Sequence, residues 1–128
     1  GKRAVFPTPT VVCVGVLNDV EKRLTSHFKE PGDYLLLLGE NRGEVSGSEY
    51  QKLVLGEFKG TGPTIDLRFE KTLQEALVEA IERGLLKHAH DVSEGGIAVN
   101  LFESAFEKEL GFEVDFDDDL RTDFLLFG

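Results

Sequence analysis

The residues best suited to chemistry stand at positions 88–96, reading HAHDVSEGG. His88 and His90 fall two apart, on one face of a strand, and could hold zinc given two more ligands. The chain offers only His27 and scattered acids for that. The favoured reading packs one histidine in the sheet and lets the other bond the loop. Asp91 could hold magnesium together with a bound phosphate. It also suits an Asx turn, or a cap for the amides that follow. Ser93 is placed to N-cap a helix whose stripe is Ile97, Leu101 and Ala105. Gly95 and Gly96 cost that helix about 1 kcal/mol each relative to alanine. Either they leave backbone bare for an anion at the positive helix end, or they let the helix pack closely on a neighbour. The candidate phosphate- or nucleotide-binding residues are thus Asp91, Ser93, Gly95 and Gly96, with Asp91 the candidate metal ligand. No residue is assigned a catalytic role.

Other clusters carry less. Asp115, Asp117, Asp118 and Asp119 lack the glycine and terminal glutamate of a calcium loop and read as a solvated turn. Ser46, Ser48 and Ser93 have no evident paired base, so nucleophilic catalysis has no support. No G-x-x-x-x-G-K-[ST] or G-x-G-x-x-G pattern is present.

The elements that must position these residues follow from periodicity. Phe6-Pro7-Thr8-Pro9 reads as extended. Residues 11–17 form a valine-rich apolar run, predicted to be a buried strand with Cys13 inside it. Pro31-Gly32-Asp33 is a turn, and residues 34–38 a second buried strand. Ser48-x-x-Gln51 predicts a capped helix turning Tyr50, Leu53 and Val54 inward. Thr72-x-x-Glu75 predicts another, with Leu73, Ala76, Leu77, Ala80, Ile81 and Leu85 on one stripe and Gly84 at its end. The helix after Ser93 is expected to run to about Glu109, with Gly111 stopping it. Phe112, Val114 and Phe116 alternate with acids as a half-exposed strand, and residues 124–127 look like one more. Two strand–glycine loop–helix units result, at 35–53 and 86–101, the arrangement that seats ligands in open α/β layers.

Composition bounds the rest. At 128 residues this is one domain, or one domain plus a piece of another. A net charge of −10 argues against a general nucleic-acid binder, which needs clustered Lys and Arg such as Lys2, Arg3, Lys22 and Arg23 only hint at. A single cysteine cannot form an internal disulfide and fits a reducing cytoplasm. No apolar run is long enough to span a membrane. A start at Gly1 without methionine and an apolar run ending at Gly128 are what an excised piece would show.

Four motifs then occur in a telling order: PTPTVVCVGVLNDV, PGDYLLLLG, SGSEY and HDVSEGGIAVNLFESA. With them the chain resembles the large synthetase subunit family of phosphoribosylformylglycinamidine synthase, within the ATP-dependent superfamily that includes aminoimidazole ribonucleotide synthetase. The resemblance implies an α+β fold: layered α/β/α with a mixed sheet, of the C-terminal aminoimidazole ribonucleotide synthetase type. It implies residues 1–27 as the trailing strand and linker of a preceding N-type domain. Residues 28–128 would be the C-type domain, lacking its last strand. The implied reaction joins formylglycinamide ribonucleotide and ammonia at the expense of ATP, with Mg2+. The ammonia would come from a glutaminase subunit, with a small bridging subunit between the two. The family's catalytic histidine would lie before Gly1, so the piece alone should be inactive. By pseudo-symmetry Asp91 would face an auxiliary nucleotide cleft. The alternative is a non-catalytic domain that packs on a partner and binds phosphate incidentally. Sheet edges and apolar faces left open would favour self-association.

Overall fold

The computed structural model describes residues 8–116 and 119–128. Expectations for Lys2, Arg3, Phe6, Pro7, Asp117 and Asp118 fall outside those residues. A 3-10 turn at Val20–Lys22 precedes four helices: α1 (Glu49–Leu55), α2 (Leu67–Glu82), α3 (Gly96–Phe106) and α4 (Thr122–Phe127).

Among the described residues there is no β-strand, which corrects the expected α+β fold with its mixed sheet and α/β/α layers. The reason is visible at the two apolar runs. A continuous valine or leucine run becomes a buried strand only if each edge finds a ladder and each face a covering layer. Neither run finds them: Val14 and Tyr34 are each 93% exposed. Cys13 is exposed as well, not buried as expected. The total surface is 10890 Å2, whereas a compact monomer of 14.2 kDa exposes about 6,800 Å2. The buried apolar core is correspondingly small: Phe28, Ile97, Ala105 and Leu125.

The helices form where local chemistry closes their ends. Ser48 caps α1, its Oγ accepting from the Gln51 amide at 3.1 Å. Gln51 is buried and its side chain joins two loops. Its Oε1 accepts from Gly47 N at 3.0 Å and Lys59 N at 2.8 Å, and its Nε2 donates to Lys59 O at 2.8 Å. Tyr50 turns inward and stacks on Phe127, with ring centroids 4.8 Å apart. Leu53 and Val54 do not; both are exposed.

Helix α2 starts earlier than the Thr72 box predicts. Asp66 is its N-cap, accepting from Arg68 N at 2.9 Å and Phe69 N at 3.2 Å. Two amides on one carboxylate outweigh the hydroxyl cap, and Thr72 is left mid-helix, donating to Arg68 O. The same two amides lower the Asp66 carboxyl below its ordinary value. The far end matches expectation: Gly84 takes φ +65°. Leu85 N donates to Ala80 O and Gly84 N to Ile81 O, the paired bonds of a Schellman stop.

Helix α3 ends before Gly111. Glu109 takes the left-handed conformation (φ 52°), and Leu110 N returns to Ala105 O at 3.2 Å. Residues 124–127 belong to α4 and not to a strand. Asn41 fixes that helix end, donating from Nδ2 to Leu125 O at 2.7 Å. The buried Leu125 and the Tyr50–Phe127 stack give a helix of this length the tertiary contacts it needs.

Candidate functional site

The candidate residues fall in the turn that enters α3. Gly95 is the N-cap with φ +91°, and no side chain caps the helix; Ser93 instead uses its backbone carbonyl, which accepts from Gly96 N at 3.1 Å. Gly96 has φ +69° and is buried. A Cβ placed on it would stand 2.5 Å from Leu126 O and 2.7 Å from Phe127 Cα. A Cβ on Gly95 would stand 2.4 Å from a methyl carbon of Val99. The pair therefore has a packing reason: bare backbone at the start of α3 lets the end of α4 lie against it.

Asp91 sits differently. Its side chain is 89% exposed. Its backbone carbonyl is held from two sides, by Asn100 Nδ2 at 2.7 Å and His90 Nδ1 at 2.8 Å. The second bond places a hydrogen on Nδ1 and turns His90 Nε2 toward Glu103 Oε2, 3.5 Å away. Ser93 is exposed.

The two histidines split as the sequence reading favoured, although no sheet receives them. His90 bonds the loop. His88 packs edge-on against the buried Phe28, ring centroids 5.1 Å apart, and Phe112 meets the same ring at 6.3 Å. Burial, then the nearby Lys29, holds the His88 imidazole below its ordinary value. Among the described residues no three His, Cys, Asp or Glu side chains converge as metal ligands.

Sequence reasoning missed three groupings because their members are far apart in the chain. His27 Nδ1 lies 2.9 Å from Glu107 Oε2, and Lys29 Nζ lies 2.9 Å from His27 Nε2. Lys87 bridges Glu30 at 2.7 Å and Asp33 at 2.6 Å, and these two partners raise its ammonium value. Asp123 accepts from Arg121 Nε and Nη2 at 2.5 and 2.6 Å and from Tyr50 Oη at 2.9 Å. Arg121 foremost, with Tyr50, holds the Asp123 carboxyl down to about 2. Only two of the bonded pairs within them, His27 with Lys29 and Arg121 with Asp123, are local in the sequence.

The family model for the AIR synthase related protein, C-terminal domain, matches residues 30–125. This chain belongs to that family. Among its curated relatives is phosphoribosylformylglycinamidine synthase subunit PurL of Moorella thermoacetica, 48% identical over 124 residues. The PurL of Thermoanaerobacter sp. (strain X514) is 45% identical over 124 residues, and that of Symbiobacterium thermophilum 46% over 129. These matches cover 97–98% of this chain and 17% of each relative. The AIR synthase C-terminal assignment thus accounts for most of the chain, including the turn entering α3 and all four helices except the last residues of α4. No helix among the described residues is long and apolar enough to cross a membrane.

Proposed function

We propose that this chain serves as the C-type portion of a phosphoribosylformylglycinamidine synthase subunit, a ligase of purine biosynthesis in the cytoplasm. The observation that carries the reading is the 41–48% identity to PurL proteins over nearly all of the chain. In that role residues 28–128 are the C-type domain and residues 1–27 the link to the domain before it. The whole enzyme would join ammonia to formylglycinamide ribonucleotide at the expense of ATP and with Mg2+. A glutaminase subunit would supply the ammonia, and a small subunit would bridge the two.

The residues present suit the rim of a magnesium–phosphate site and not a complete one. Asp91 offers one exposed carboxylate, and magnesium bound to phosphates commonly takes one or two. Ser93 is open to solvent. The Gly96 amide is already engaged by Ser93 O, and α4 fills the space a Gly96 side chain would need. Among the described residues these groups do not make up a complete site for ATP and Mg2+. We propose that Asp91 and Ser93, beside Gly95 and Gly96, touch a group held mainly by the rest of a full-length subunit. The chain alone should not turn over ATP.

Three measurements test this. Assayed with formylglycinamide ribonucleotide, ammonia and Mg-ATP, the chain should give no phosphate above background; turnover would overturn the placement of the catalytic groups elsewhere. Exchanging the aligned segment of Moorella thermoacetica PurL for this chain should keep amidine synthesis. A folded chimera without activity would refute the family role. In the same chimera Asp91→Ala should weaken Mg-ADP binding. Unchanged binding would favour the second reading, a scaffold domain, which the packing role of Gly96 supports.

A further inference from the structure

Helix α3 is apolar on two sides. Ile97 and Ala105 face the core, while Phe102 and Phe106 stand one turn apart on the outside. They are 61% and 71% exposed, with ring centroids 5.7 Å apart. A helix apolar all round is normally buried on all sides, and this one is not. The rings do not stand on a flat surface. Glu109 reverses the chain in the left-handed conformation, and Leu110 N bonds Ala105 O. Leu110 thereby joins the two rings in lining an open groove of about 690 Å3.

The rim of the groove carries one sign of charge. Glu103, Glu107 and Glu109 line it, and no Lys or Arg does among the described residues. Glu103 and Glu107 have imidazoles beside them, His90 and His27, and not ammonium or guanidinium groups. Exposed aromatic rings flanked by carboxylates repel nucleic acid and anionic lipid. They complement an apolar stripe flanked by Lys or Arg, the pattern of an amphipathic helix that anchors in a groove.

We propose that this groove docks a cationic amphipathic helix of another polypeptide, its apolar stripe on Phe102 and Phe106 and its Lys or Arg side chains on the three glutamates. The inference rests on the groove and does not need the amidine-forming reaction.

The probe is a labelled helical peptide of leucine and lysine, titrated against the chain by fluorescence anisotropy. Its isomer with glutamate in place of lysine is the control. Binding of the lysine peptide should weaken with salt, and the glutamate peptide should not bind. Phe102→Ser with Phe106→Ser should weaken binding about tenfold or more, as loss of aromatic anchors does. Glu109→Gln, which leaves both histidine pairs in place, should weaken it a few-fold. Equal binding of the two peptides, or wild-type binding by the double serine variant, would overturn the proposal. If that variant loses its helical circular dichroism, a photo-crosslinking lysine peptide on the unsubstituted chain decides. Crosslinks within residues 102–110 support the groove; crosslinks confined to the apolar run at 11–17 refute it.

Discussion

Replacing Gly96 by alanine should destabilise this protein more than any other single methyl group added to the turn entering α3. The backbone there has φ +69°, a conformation that costs an L-residue about 1–2 kcal/mol. The new methyl would meet Leu126 O at 2.5 Å and Phe127 Cα at 2.7 Å, both main-chain atoms of α4. Relief requires moving one helix away from the other, and overpacking of that kind adds about 1–3 kcal/mol. The expected loss is therefore about 2–5 kcal/mol, a large part of the stability of a domain this size. Gly95→Ala is the internal comparison. Its φ is also positive, but its methyl meets Val99 of the same helix, Cγ2 at 2.4 Å and Cβ at 2.8 Å, so a local shift at the start of α3 relieves it without separating two helices. It should cost less, since no second helix has to move. Urea denaturation followed by far-UV circular dichroism measures both. A Gly96→Ala variant within about 1 kcal/mol of the parent, or less damaged than Gly95→Ala, would refute the packing argument. The glycine pair would then be better explained by a ligand at the backbone.

The carboxyl of Asp123 sits lower in the folded chain than its usual value near 3.9. Stability from it is present above about pH 4 and is lost as pH falls toward about 2, so Asp123→Asn should flatten that limb of an acid titration. The His88 imidazole is also lowered, and the sign is the same: the unfolded chain takes up the proton first. Stability should fall as pH drops below about 6.5, and His88→Phe should reduce that slope in thermal melts between neutral and mildly acidic pH. Glu109→Gly should raise the urea midpoint, worth about 1 kcal/mol, because glycine takes the left-handed conformation without strain. No change in the midpoint would mean that Glu109 is not held there in solution.

Helix ends were legible wherever the signal was local. Ser48 caps α1 and Gly84 stops α2 because each needs only neighbours within one turn. The start of α2 was misplaced because two capping residues compete, and Asp66, with two amides, prevails over Thr72. The strands were overcalled for a different reason. Apolar runs record a demand for burial without saying what meets it, and at residues 11–17 and 34–38 nothing in the described chain does. Residues 124–127 show the converse, four apolar residues whose helical form depends on Tyr50 and Asn41, over 70 positions earlier. At the turn entering α3 the sequence left an anion and close packing both open for Gly95 and Gly96. Choosing between them requires knowing where α4 lies, a contact that no spacing near position 96 encodes.

One amide group, that of Gln51, ties residue 47 to residue 59. The two glycine-rich segments on either side of α1 are thereby linked through a single side chain. A protease that cuts after Lys59 must wait for the whole clasp to release, so the rate of nicking there reads out the opening of both segments at once. Hydrolysis of that side chain to glutamate would replace the group donating to Lys59 O by an oxygen while keeping an acceptor for Gly47 N and Lys59 N, so a slow chemical lesion would loosen the clasp on its Lys59 side.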